Sequence, residues 1–200
     1  SAASDVYKRQ LEESPAKQEE IYKTTAKLYD KDYRAYNNLA ALAIAKGDVK
    51  TAESYLKKAQ SLGSDTPEAS ANLGLLALIA GDTQDAEAKI SKASGSENVS
   101  LALGALNIAK GNYAQAEEYF KDSYNNSAAL AQLLNKNYAA AKATLNNIKN
   151  PNGLTSYLHA IVSARQGNKY AANSYLKEAL QKDPSLKAYA ENDLEFANIK

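Results

Sequence analysis

The chain of 200 residues has no cysteine, methionine or tryptophan, two phenylalanines, four prolines and a single histidine. Without cysteine there is no disulfide, no thiolate nucleophile and no cysteine-based metal site; this fits cytoplasm and periplasm equally. His159 stands alone, so a zinc centre has too few nitrogen ligands. No nucleophile elbow or glycine-rich phosphate loop is present, because the glycines fall at helix ends. Catalytic, cofactor-binding and metal-binding residues are therefore all read as none, and the chain is read as non-enzymatic. Lys and Arg total 24 against 23 Asp and Glu, a formal net charge of +1. That balance excludes the basic excess expected of a nucleic-acid binder. The longest mainly apolar run, Leu73 to Ala80, is far short of the roughly 20 residues that span a bilayer. No methionine begins the chain and no signal peptide is visible, which reads as a fragment or a mature segment.

What is present is helical periodicity with regular breaks. The stretch Leu101 to Phe120, LALGALNIAKGNYAQAEEYF, holds a run of small and apolar residues, then Gly111-Asn112, then a second amphipathic segment. Gly111 can take the left-handed conformation that ends a helix. Asn112 is placed to cap the next, with Gln115 completing a capping-box pattern. Breaks of this kind at Gly47, Gly81 and Gly111 lie 34 and 30 residues apart, a period that signals a solenoid. Lys136-Asn137 and Gly167-Asn168 continue the series, with the fourth unit shortened. The spacing predicts first helices around Leu39, Leu73, Leu103 and Ser127–Asn135, and second helices carrying Ala52, Ala86, Ala116, Ala141 and Ala172. Those alanines, with Ala40, Gly74 and Gly104 facing them, let helices approach closely, while Leu56 and Phe120 fill the remaining space.

The expected architecture is an all-α, right-handed α-solenoid in three parts. Residues 1–32 form N-terminal capping helices, including a short one at Asp5–Ser14 stopped by Pro15 and another at Ala16–Tyr29. Residues 33–184 form an array of about five helix hairpins. Residues 185–200 supply a C-terminal capping helix, read as Ser185–Asn198.

The alternation of Leu-Gly or Leu-Ala, then Gly-Asp or Gly-Asn, then A-x-x-Y/K-L/I/F-x-x-A resembles the tetratricopeptide repeat. It is clearest over Tyr33–Ser123 and present over Gly153–Pro184. The early aromatic survives only as Tyr36, and Ala43, Ala77 and Asn107 replace the usual later tyrosine. A narrower resemblance rests on Tyr33–Leu39 (YRAYNNL), the segment NSAALAQLLNKNYAAAKATLN, Tyr157–Arg165 and Asp193–Ala197 (DLEFA). These are similar to the repeat region of Bacteroidetes cell-envelope lipoproteins associated with outer-membrane-protein-A-like modules. That resemblance implies a periplasmic or outer-membrane-associated protein, anchored through an upstream lipoprotein segment; a cytoplasmic location stays open.

In this repeat class the first helices build a concave inner face. The residues expected there are Arg34, Asn37, Ala41 and Ile44, then Glu68, Ala71, Leu75, Leu78 and Ile79. Leu101, Ala105 and Ile108 follow, then Tyr157, Ile161 and Arg165. Some relatives use lysine and asparagine on this face to clamp acidic chaperone tails; here only Arg34 and Asn37 are suitably polar. The face is instead apolar with polar ends, which suits an amphipathic helix or an extended apolar peptide. The expected function is a protein–protein interaction scaffold of the cell envelope with a protein or peptide partner. The alternative is an assembly factor or pilotin-like escort for an outer-membrane protein. A further open alternative is that the face is covered by neighbouring turns or by the last helix.

Overall fold

The structure, a computed structural model, describes residues 14–63, 66–93 and 99–199. Of the short helix expected at Asp5–Ser14 only Ser14 lies within these, and there it is the extended residue that caps the helix beginning at Pro15. Among the described residues the chain is all α, an α-solenoid of helix hairpins, and it divides into two compact units, one ending at Ala109 and one beginning at Lys110.

The first unit holds α1 (Pro15–Leu28), α2 (Tyr33–Ala45), α3 (Val49–Ser61), α4 (Pro67–Ile79), α5 (Thr83–Ser91) and α6 (Ser100–Ala109). Each start has a local chemical cause. Pro15 and Pro67 sit in the first turns of α1 and α4, where a missing N–H costs nothing. Side chains of Asp32, Asp48, Thr66 and Asp82 accept hydrogen bonds from Arg34, Thr51, Ala69 and Asp85 backbone N–H groups at 3.0, 3.2, 3.3 and 2.9 Å. The ends follow one rule: at Gly47 the chain turns left-handed (φ +75°). Gly47 and Asp48 then donate back to the Ile44 and Ala43 carbonyls, both at 2.9 Å. Helix α2 pairs with α3 and α4 with α5, and α4 also packs against α2 and α6.

The second unit holds α7 (Tyr113–Phe120), α8 (Asn126–Leu134), α9 (Tyr138–Asn146), α10 (Gly153–Arg165), α11 (Lys169–Lys182), α12 (Leu186–Glu191) and a 3₁₀ turn at Leu194–Phe196. Helix α8 pairs with α9 and α10 with α11. The stretch Leu101–Phe120 thus supplies the last helix of one unit and the first of the next.

Two expectations need correction. The last helix is not continuous over Ser185–Asn198: α12 stops at Glu191, Asn192 caps it, and Asp193 (ψ 118°) starts the 3₁₀ turn by accepting from the Glu195 N–H at 2.9 Å. Asn and Asp compete with helix through such local bonds. At Asn112 the capping bond is not made to α7; the complete capping box is at Asn152 and Thr155. The fourth break falls at Lys136-Asn137 as expected: Lys136 takes the glycine position with φ +65°, and Lys136 and Asn137 donate to the Leu133 and Gln132 carbonyls at 3.0 and 2.8 Å.

Packing explains the small residues. Ala52, Ala86, Ala116, Ala141 and Ala172 are all fully buried. At Gly74 of α4, a Cβ would lie 2.3 Å from Ile90 Cγ1 and 3.3 Å from the Ala86 carbonyl oxygen of α5. Ile90 is itself fully buried and has no room to withdraw. Gly74→Ala is expected to cost about 1–3 kcal/mol by overpacking, read from a urea unfolding curve. Lys136→Gly has the opposite sign. Releasing a left-handed lysine gains about 1–2 kcal/mol, and glycine's freedom in the unfolded chain offsets part of it. A net gain of about 0.5–1 kcal/mol should appear as a raised urea midpoint with unchanged slope.

Candidate functional site

In the first unit the residues expected on the inner face divide by burial. Ile79 and Leu101 are 51% and 45% exposed, large apolar side chains left in water. Leu75 and Leu78 are half-buried beside Leu103 against a core that includes Ala86, Ile90 and Leu106, and Ala105 and Ile108 are half-buried on α6. Leu75, Leu78 and Ile79 fall at i, i+3 and i+4 on α4, and Leu101, Ala105 and Ile108 at i, i+4 and i+7 on α6. Each set is therefore one stripe of its helix. Ala41 is exposed, while Ile44 and Glu68 are half-buried. Arg34 is exposed but held at the start of α2: its Nε and Nη2 donate to Asp32 at 2.9 and 2.7 Å. That contact holds the Asp32 carboxyl below its ordinary range.

Asn37 and Ala71 are buried rather than lining an open face. Asn37 serves packing between helices, its backbone carbonyl accepting from Asn72 Nδ2 of α4 at 3.2 Å. Its own Oδ1 is buried without a hydrogen-bond partner.

In the second unit Tyr157 and Ile161 are buried in one apolar cluster with Phe196, and Tyr157 is held there by residues 189–196. Tyr157 Oη donates to Asp193 Oδ2 at 2.5 Å. Its ring meets Phe196 edge to face at 5.3 Å and 86°, and Tyr189 at 6.0 Å and 62°. Burial, then the bond to Asp193, pushes the Tyr157 hydroxyl well above its ordinary pKa, so it stays a donor. Arg165 donates to the Glu195 carboxylate through Nε at 3.0 Å and Nη2 at 2.5 Å, and to the Leu133 carbonyl of α8 through Nη1 at 3.3 Å. The Glu195 hydrogen bond raises the Arg165 guanidinium further. The alternative left open by the sequence, that the last segment covers this face, is the one found for α10. No periodicity announces it. The only signal was the pair of carboxylates, Asp193 and Glu195, flanking an exposed leucine beside Phe196.

Another polar cluster was not anticipated. The amides of Asn135 and Asn137 both donate to the Glu117 carboxylate, Asn137 at 2.9 Å, tying α7 to the turn between α8 and α9. His159 is buried on α10, stacked on Tyr175 of α11 at 4.5 Å and 10°. Among the described residues no three His, Cys, Asp or Glu side chains gather as a metal-binding group, and no helix is long and apolar enough to cross a membrane.

No protein-family model matches the sequence, and no curated protein matches it. Solved structures do match. A tetratricopeptide repeat protein from Parabacteroides merdae aligns with a TM-score of 0.58 at 19% identity, over 88% of this chain and 75% of that one. Its fold is that of a tetratricopeptide-repeat array. A chain of the APC/C hetero-tetramer Cut9–Hcn1 aligns with a TM-score of 0.62 at 15% identity, over 93% of this chain; this chain spans 39% of that one.

Burial lowers the His159 pKa, outweighing the pull of Glu178, while Lys142 and Lys182 push the same way as burial. The folded state then binds fewer protons than the unfolded chain, where histidine titrates near 6.5. Stability should fall as pH drops below about 6.5, levelling off below the depressed folded value, with a slope no steeper than about 1.4 kcal/mol per pH unit. His159→Phe keeps the stack and removes the proton site. Urea titrations between pH 7.5 and 5 should show the slope flattened in that variant.

Proposed function

We propose that the chain is a non-enzymatic protein–protein interaction scaffold that takes an amphipathic helix or extended apolar peptide along the first helices of its hairpins. The observation that carries this reading is the pair of stripes on α4 and α6 in the first unit. Ile79 and Leu101 expose large apolar side chains there, beside half-buried Leu75, Leu78 and Ile108. Helices α4 and α6 pack on each other, and a contiguous exposed apolar patch on such a pair would mark a place where another surface docks. An apolar stripe with few charges favours a helix laid face-down over a phosphate-rich or strongly acidic ligand.

The cellular setting proposed is the bacterial envelope, at the periplasmic side of the outer membrane, and an upstream lipid anchor belongs to the same proposal. Its support is the sequence resemblance carried by Tyr33–Leu39 and Asp193–Ala197.

Ile79→Asp with Leu101→Asp tests the docking surface, because both residues are about half exposed and their replacement leaves the core intact. Captured from envelope extract, the wild-type chain is expected to retain a partner that the double variant retains at least tenfold less well, about 1.4 kcal/mol or more. The helical circular dichroism of the two should match. Equal capture by both proteins, or nothing above background for the wild type, overturns the reading.

A further inference from the structure

The residues that cover α10 look like a bound ligand more than a continuation of the fold. Leaving α11, the chain turns at Asp183-Pro184-Ser185, where the Ser185 N–H donates to Asp183 Oδ1 at 3.1 Å. It then makes a six-residue helix and one 3₁₀ turn. Most of this segment stays in water: Tyr189 is 69% and Leu194 87% exposed, and Ala190 is the buried residue of α12. Leu186, Ala190 and Ile199 pack on the same apolar cluster as α10, and the segment's polar contacts with α10 come from Asp193 and Glu195. Asp193 takes the Tyr157 hydroxyl, Glu195 takes the Arg165 guanidinium, and Phe196 is fully buried against the Tyr157 ring. One further bond lies beyond them, from Asn173 Nδ2 to the Ile199 carbonyl at 3.2 Å.

These contacts have the form of short-peptide recognition. Two carboxylates two residues apart meet a phenol and a two-pronged guanidinium, and an aromatic ring drops into an apolar seat between them. We propose that the α10 face bearing Tyr157, Ile161 and Arg165 is a peptide-binding surface, that the chain's own residues 186–199 hold it shut, and that its partner carries the same pattern: Asp, any residue, Glu, then an aromatic. The partner's chemistry is read from the occupant already seated there. This deepens the scaffold reading by giving one face a partner class and a means of regulation. It concerns a different helix from the α4 and α6 stripes, so either reading can fail alone.

Tethering sets the competition. A segment linked to its own site by a few residues acts at an effective concentration on the order of millimolar. A free peptide binding the open face with Kd of about 10 μM would see that face open only about 1% of the time, and its apparent affinity would fall about a hundredfold. Weakening the tethered copy should therefore strengthen binding of an added one.

The test uses the full chain and a fluorescein-labelled peptide of sequence Ser185–Ile199, followed by anisotropy. The variant Glu195→Gln with Phe196→Ala, altered only in its own tail, is expected to bind the peptide at least tenfold more tightly than the wild type. Adding Arg165→Glu to that variant should abolish the gain, and so should a peptide with alanine at its phenylalanine. A variant that keeps its helical circular dichroism and binds no more tightly overturns the proposal. Should the variant lose its helix, hydrogen exchange on the unaltered chain decides. Amides of residues 186–199 exchanging at least tenfold faster than those of α10 and α11 show a segment that opens by itself; exchange in step with those helices overturns the proposal.

Discussion

Close approach of paired helices is the constraint on which the structure depends. Five alanines at equivalent places in the second helices are fully buried, and at Gly74 a single added carbon would enter Ile90. Leu56, Ile90, Phe120 and Leu145 are buried with those alanines, Ile90 directly against Gly74. A face at the margin of such packing is apolar because it belongs to a core-forming helix: Leu75 and Leu78 pack partly on the core while Ile79 stays exposed. The stripes on α4 and α6 arise in this way.

The turns obey a second constraint. At Gly47, Gly81 and Gly167 the backbone turns left-handed, and nothing lies within 4 Å of where a Cβ would sit. Conformation rather than space selects glycine there. Lys136 makes the same point in reverse: the turn and its hydrogen bonds survive with a side chain present, held by helices packed on either side.

The features readable in the sequence were those with local causes. Gly47, Asp48, Gly81, Asp82, Gly167 and Asn168 mark helix ends through backbone preference and capping alone. The buried alanines follow from a repeat of about thirty residues. The unread features were those whose cause lies elsewhere in the chain. Asn112 has the right residue type for a cap but makes no such bond, while Asn137 gives its amide to Glu117 instead. Tyr157 and Ile161 were expected on an open face because their spacing on α10 is correct. Both are buried in one cluster with Phe196, and Tyr157 is held there by Asp193, 36 residues away; no periodicity encodes such a meeting. Asn37 was expected on the inner face from its place on the first helix of its hairpin, yet it is buried and its carbonyl joins α2 to α4.

The order in which parts of the second unit form follows from which helices are partners. Helices α8 and α9, and α10 and α11, are neighbours in the chain, joined by loops of three residues, so each pair closes a small loop at little entropic cost. The contact between Tyr157 and Asp193 spans 36 residues and requires α10 and α11 to be in place first. During folding, the seat for Phe196 therefore exists before its occupant arrives. On a ribosome the interval lengthens, since residues 193–196 leave the exit tunnel after the helices that seat them. A newly made chain passes through a stage in which that seat is finished and vacant.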